Sequence, residues 1–190
     1  MNKIALKYIA IISFSLASVI LPCLILLITG IATPFISGFA VDNLERIYIG
    51  GTNEIMVFHN GKQVGTINPN TSRTYAFTIN NDNHILLSTS TKLFVMDLDG
   101  NILSEDEDIA ANVYNQIKYR SGKYISSNGN IYEMKDYFGW TCITKNQVET
   151  VYRISFLSFI VKLLLFGSVI AVIIFPIYIT RRLLRQPDTQ

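Results

Sequence analysis

Side chains that carry chemistry are scarce in this sequence. Its 190 residues include two cysteines, two histidines and one tryptophan, and only 16% are charged. Cys23 lies in a long apolar run and Cys142 in a polar middle region, so no intramolecular disulfide is expected to staple the middle region. His59 and His84 have no Cys or carboxylate neighbours at metal-ligand spacing, and no nucleophile motif of the G-x-S-x-G kind occurs. Gly50 and Gly51 are not followed by the Lys-Ser pair of a phosphate loop. These absences disfavour an enzyme, and no cofactor is expected. Between residues 37 and 152 there are 9 Lys and Arg against 13 Asp and Glu, a balance of −4, which argues against nucleic acid as a partner.

Apolar residues are plentiful, at 49%, and two blocks hold the excess. Residues 9–28, IAIISFSLASVILPCLILLI, carry no charge, and neither do residues 163–179, LLLFGSVIAVIIFPIYI. At about 1.5 Å rise per residue, each is long enough to cross, or nearly cross, a hydrocarbon core of about 30 Å. Residues 9–31 and 154–180 are therefore predicted to be transmembrane helices, kinked at Pro22 and Pro176. Lys3 and Lys7 precede the first block, and Arg181, Arg182 and Arg185 follow the second. The flanking cations predict a cytoplasmic N-terminus over residues 1–8, a cytoplasmic basic tail over 181–190, and an extracytoplasmic segment between the helices. Arg153 and Lys162, at the outer end of the second block, run against this bias; Lys162 is expected to snorkel to the interface. A cleaved signal peptide competes for the first block, with Gly30-Ile31-Ala32 as its small-residue site, but the apolar run exceeds the usual h-region. Pro22 before Cys23 disfavours lipid attachment. Ser13, Ser15, Ser18 and Gly30 in the first helix, with Gly167 and Ser168 in the second, are small enough to serve a close helix contact.

The segment from 37 to 152 changes character. It is rich in β-branched and aromatic residues and in Asn, Gly, Ser and Asp, with almost no helical periodicity. The stretch MVFHNGKQVG reads as strand, turn, strand, because Asn60-Gly61 tolerates the positive φ of a type I′ turn. The hairpin recurs: HNGKQV is matched by LDGNIL and more loosely by YFGWTC, placing Gly61, Gly100 and Gly139 at intervals of 39. Tyr75, Tyr114 and Tyr152 follow at intervals of 39 and 38. FAVDNLERIYIGGTNEIMVF lies over FTINNDNHILLSTSTKLFVM at a shift of 38, and the third copy keeps KYIS over ILLS and NIYEM over KLFVM. Three repeats are thus read, about 39–75, 76–114 and 115–152. In the second, the strands are TYAFTI, HILLSTS, KLFVMDLD and GNILSE.

Four short strands per unit of about 40 residues is the pattern of a β-propeller blade. The first copy, with its first strand ending in Val41-Asp42, then IYIG and IMVFHNGK, resembles an NHL-type propeller blade. The second has Asn80-Asn81 in place of the acid; the third departs, with Glu133 at a normally apolar position and Trp140 after the turn glycine. The resemblance implies a mainly β fold of three four-stranded propeller-like repeats, and a function in binding, since only some members of such families are enzymes. Three blades do not close an ordinary ring. Two chains could pair into six blades, a partner could complete the ring, or the units could form a small open assembly whose ends are covered by divergent residues, as terminal repeats commonly are.

The acidic run SEDED at residues 104–108 fits no EF-hand loop and reads as a solvated connection, while Asp97 and Asp99 read as turn residues leading into Gly100. Asn70-Thr71-Ser72 matches a glycosylation sequon. Among the aromatics crowding the third repeat, Tyr119, Tyr124 and Tyr132 alternate on strands as core residues do. Tyr137, Phe138 and Trp140 instead occupy the hairpin tip, where either core packing or contact with a membrane interface or partner is open to them. The sequence is therefore read as a non-catalytic integral membrane protein presenting a β domain for protein recognition or scaffolding. Its expected partners are the lipid bilayer and either a second copy or another protein. The alternative is an extracytoplasmic sensor of a small ligand or cell-wall fragment, signalling through a partner because the cytoplasmic ends are short.

Overall fold

The computed structural model of the protein describes residues 3–33, 35–69, 71, 74–107, 110–120, 122–126 and 128–184. The chain divides into two units, one of residues 33–155 and one of residues 1–32 with 156–190.

The larger unit is three four-stranded antiparallel sheets, each a simple meander. The first holds β1 (Gly38–Val41), β2 (Ile47–Gly50), β3 (Ile55–His59) and β4 (Lys62–Ile67). The second holds β5 (Tyr75–Ile79), β6 (Ile85–Thr89), β7 (Leu93–Met96) and β8 (Ile102–Asp106). The helix α1 (Lys3–Ile28) precedes these strands, and α2 (Ala110–Arg120) follows the second sheet. The third sheet holds β9 (Lys123–Ile125), β10 (Ile131–Tyr137), β11 (Trp140–Lys145) and β12 (Glu149–Arg153); α3 (Phe156–Leu184) ends the described chain.

The first sheet is apolar on both faces, because its strands carry large hydrophobic residues at odd and even positions alike. One face presents Ala40, Tyr48, Ile55, Val57 and Ile67 to Tyr75, Phe77, Ile79, Ile85 and Leu87 of the second sheet. The other presents Phe39, Val41, Ile47, Ile49 and Met56 to Tyr132, Ile143 and Tyr152 of the third. Burying two faces in one sheet is what the near-continuous apolar runs FAV and IYI encode, where a half-exposed sheet would alternate. Sheets pack closely only where small residues allow. A Cβ on Gly50 would lie 2.8 Å from Phe77 Cε1 and collide with Ser37 Oγ, so glycine admits the second sheet here.

The third repeat departs from the expected four-strand unit. Moved by the 38-residue period, β5 falls on residues 113–117, inside α2. Where a first strand and little helical character were expected, Ala-Ala-Asn-Val-Tyr-Asn-Gln-Ile forms a helix. Two alanines favour it, and Val113 and Ile117, four apart, share one face, with Ile117 buried. The helix packs across β5, β6 and β7. The second sheet's other face is already committed to the first sheet, so α2 lies over the Ala76, Thr78, Leu86 and Ser88 face. β9 then stands in the phase of β6, and the sheet regains four strands by adding β12 at its far edge. Tyr75 and Tyr152 are buried in strands, whereas Tyr114, in the same repeat phase, is half-buried on the helix. The third sheet's outer face carries Lys123, Glu133 and Thr144 in one cross-strand row and Lys135, Cys142 and Arg153 in another. Glu133, out of pattern for a core strand, belongs to this polar face, and its carboxylate lies 3.5 Å from Lys135 Nζ.

One turn recurs. The backbone N–H of its first residue donates to the carbonyl of the fifth, and the fourth donates back to the first, in Asp42–Arg46, Asn80–His84, Asp97–Asn101 and Ser126–Asn130. The fourth residue has positive φ each time: Glu45 (60°), Asn83 (65°), Gly100 (91°) and Gly129 (77°). Asp97 Oδ1 accepts from the Asp99 and Asn101 amides, which holds its carboxyl below the usual carboxylate range, chiefly through hydrogen bonds from Asn101.

In the smaller unit, α1 and α3 meet through Cys23, Ala32 and Val161, with Leu26, Leu27 and Leu165 around them. The small residues expected to make that contact mostly do not. Ser15 and Ser18 are exposed with their hydroxyls turned back to the Ile11 and Ser15 carbonyls, and Gly167 faces open space; Ser168 is buried. The serines satisfy their polar groups on their own helix, which leaves the aliphatic side chains to pack. Among the described residues, one stretch, Phe156–Phe175, is long and apolar enough to cross a membrane. The apolar stretch of α1, Phe14–Ile28, is shorter, so two spans are not supported on this criterion.

Candidate functional site

Tyr137, Phe138 and Trp140 sit together at the β10–β11 hairpin tip. Tyr137 and Trp140 face each other as the last cross-strand pair, and Phe138 and Gly139 make the two-residue turn, with φ of 52° and 91°. This matches Asn60 and Gly61 in the β3–β4 hairpin, at 49° and 72°. Two positive φ values in succession define the type I′ geometry that suits the twist of a hairpin. Asparagine and glycine adopt it readily; a phenylalanine there costs about 1–2 kcal/mol. The turn is pinned by Asp136, whose Oδ1 accepts from the Gly139 amide at 2.6 Å and whose Oδ2 accepts from Thr141 Oγ1 at 3.0 Å. Phe138 is 102% exposed and Tyr137 59%, while Trp140 is half-buried. Tyr137 and Phe138 thus lie outside the core, while Trp140 keeps part of its surface packed.

A second feature was not anticipated. Between the first and third sheets lies a cleft of about 300 Å³, lined by Leu44, Phe58, His59, Tyr132, Glu149 and Val151 among others. Glu45 and Lys145 line it too, with Lys145 Nζ 2.7 Å from Glu45 Oε2. Asn130 Nδ2 donates to Glu45 Oε1 at 2.6 Å, and Lys145 Nζ stands 5.9 Å above the Tyr132 ring. The Glu45 carboxyl is held below its ordinary range, mainly by the hydrogen bond from Lys145, and the Lys145 ammonium above its own by Glu45. Phe58 and Tyr152 meet edge to face behind the cleft, with centroids 5.0 Å apart. One signal in the sequence could have pointed here. Glu45 occupies the positive-φ position that its repeat partner fills with Asn83, and a glutamate in that conformation marks a residue held by something else.

The remaining sequence candidates are structural. Asp42 is buried beneath its turn: its Oδ1 accepts from the Leu44 and Arg46 amides, and its Oδ2 from Arg46 Nε at 2.6 Å and Tyr48 Oη at 3.2 Å. His84 donates its amide to Asn80 Oδ1, and His59 flanks the Asn60 turn at the cleft rim. Glu105 and Glu107 of the acidic run pair with Lys92, and Asp108 lies outside the described residues, as do Asn70 and Ser72 of the sequon. Among the described residues no group of His, Cys, Asp and Glu is arranged to hold a metal ion. Cys23 and Cys142 are both free.

No known protein family and no curated protein matches the sequence. Among solved structures, a protein of unknown function from Bacteroides caccae aligns with 63% of this chain at 10% identity, with a TM-score of 0.32. A catalytically inactive variant of virginiamycin B lyase from Staphylococcus aureus, with quinupristin, aligns with 58% at 13% identity, with a TM-score of 0.34. The aligned part spans 45% of the first structure and 40% of the second, and both scores are too low for a shared fold to be concluded.

Proposed function

We propose that this chain is a non-catalytic integral membrane protein that presents a propeller-like β domain outside the cytoplasm for protein recognition or scaffolding, as an accessory subunit. The observation that carries the reading is α3. Its stretch Phe156–Phe175 keeps most of its large apolar side chains exposed, Leu163, Phe166, Ile170 and Ile173 among them, and begins three residues after the last strand ends at Arg153. A bare apolar surface of that length demands a lipid or protein environment. The flanking cations described above favour the β domain facing away from the cytoplasm. That both ends of the three-sheet stack are finished within the chain, by α2 and by the polar face of the third sheet, supports an open assembly that needs no second copy to close it. The test is purification of the full chain from membranes in mild detergent. Reproducible co-purification of a defined protein supports the reading; a lone chain that binds a defined small molecule overturns it.

The cleft at Glu45 and Lys145 favours a second reading, a sensor of a small polar ligand, because its mostly polar lining brings a carboxylate and an ammonium together in one concave site. A panel of cell-wall fragments and sugars assayed by thermal shift, with Lys145→Ala as control, tests it.

A further inference from the structure

We infer that the Tyr137-Phe138-Gly139-Trp140 tip is a lipid-contacting element that enters the headgroup region of the bilayer into which α3 inserts. The inference rests on α3 being membrane-embedded and adds to it a role for the third sheet.

Chain continuity sets the location. Ile154 is tied to the third sheet, its N–H donating to the Thr141 carbonyl at 2.9 Å, and α3 begins two residues later at Phe156. Thr141 is itself two residues from Gly139. At about 3.3 Å per residue, the tip therefore lies within about 7 Å, along the strand, of the point where the chain leaves the sheet for its apolar helix. The β11–β12 connection, by contrast, is at the opposite end of these strands. Of the sheet's two hairpin ends, the one that carries the aromatics is the one beside the exit.

Composition then matches the location. Tyr137 and Trp140 form the outermost pair, and Lys135, Cys142 and Arg153 form the next row on the same face. Aromatics leading and cations one row behind is the order in which a segment meets an interface from the aqueous side, rings among the acyl-glycerol boundary and cations at the phosphates. The acid nearest the tip, Asp136, is exposed, but both of its oxygens are engaged, by the Gly139 amide and the Thr141 hydroxyl, which offsets part of the cost of bringing it near the interface. Arg153, which runs against the charge bias of the outer flank, gains a role as a lipid-phosphate contact. Phe138, fully exposed and in a backbone conformation that asparagine would adopt at less cost, does nothing for the fold that explains it.

The single tryptophan makes this measurable in the full chain without a label. The protein is reconstituted into phosphatidylcholine–phosphatidylglycerol vesicles containing lipids brominated near the headgroup or near the chain end. Trp140 emission is expected to be quenched roughly two-fold more by the shallow bromines than by the deep ones, as suits an interfacial ring. Phe138→Asn, which keeps the turn, is expected to cut that quenching and shift the emission to the red. A companion chain carrying Trp140→Phe with Phe166→Trp reports on α3 and is expected to be quenched by the deep bromines. If the tryptophan at 166 is quenched while Trp140 responds only to aqueous iodide, the tip inference fails and the membrane reading stands. If neither is quenched by lipid, both fail.

Discussion

Glu45 in the β1–β2 turn and Lys145 at the end of β11 stand 100 residues apart in the chain, yet carboxylate and ammonium meet at 2.7 Å. The contact joins the first sheet to the third, and Asn130 and Asn146 extend it along the turns of the third sheet. The turn of the second sheet is linked to the same region by Asn83 Oδ1, which accepts from the Asn43 amide. A row of polar turn contacts thus aligns the sheets at one end, over a core that is apolar and non-directional.

The pair makes stability fall on acidification. Because Glu45 is depressed in the folded chain, its contribution is present above the unfolded glutamate value of about 4.3 and is lost as pH falls through the lower folded value. Both side chains are partly exposed, 34% for Glu45 and 22% for Lys145, so solvent screening limits the effect to about 0.5 kcal/mol. Thermal melts of Glu45→Gln beside the parent, at neutral pH and in acid, should converge in acid. A difference that persisted unchanged would show that the pair contributes nothing.

Asp42 carries more. Asp42→Ala removes acceptors from two amides, the Arg46 guanidinium and the Tyr48 hydroxyl, and leaves the last of these buried, at an expected cost of about 3 kcal/mol. Asp42→Asn keeps the amide acceptor, as Asn80 does in the second sheet, and should cost about half as much. Denaturant midpoints of the two variants decide the order.

Gly50→Ala tests the approach of the first two sheets. The new methyl would meet Phe77 at 2.8 Å, and a loss of about 1–3 kcal/mol is expected, because a packed ring between two sheets has nowhere to move. Phe77→Leu in the same chain should recover part of it.

Phe138→Asn should stabilise the protein in detergent by about 1 kcal/mol, since asparagine suits the left-handed conformation at the first turn position. A rise in melting temperature with weakened lipid quenching would separate the folding cost of Phe138 from its role at the membrane. A fall in melting temperature would mean that the ring packs on something it does not touch here.

Alkaline pH should unfold the β domain late but cooperatively. Burial pushes the Tyr75 and Tyr152 hydroxyls up to about 12, and Tyr48 higher still, so in these groups the folded chain holds protons that the unfolded chain releases near 10. Their contribution is complete below pH 10 and declines as pH rises from there through about 12. Tyrosinate absorbance from the buried rings should therefore appear only together with loss of near-ultraviolet dichroism. A single phase near 10 would contradict their burial.

What the sequence determined by itself is what is local or periodic. The Asn60-Gly61 turn needs two adjacent residues that tolerate positive φ, and the 38-residue shift needs only counting; both lead to three four-stranded sheets without reference to any contact. The apolar run of α3 is equally plain, because length and lack of charge are sums along the chain. Tertiary structure decided the rest. Residues 113–117 kept the tyrosine of the repeat but became helix, since the face beneath them needed a cover and the chain supplied Val113 and Ile117 four apart. The cleft depends on a glutamate and a lysine 100 residues distant, a juxtaposition that no window of sequence contains. The tip aromatics could have been core or contact by composition alone. Register decided it: Tyr137 and Trp140 fall on the third sheet's outer face, next to the row of Lys135, Cys142 and Arg153, and Phe138 falls in the turn itself.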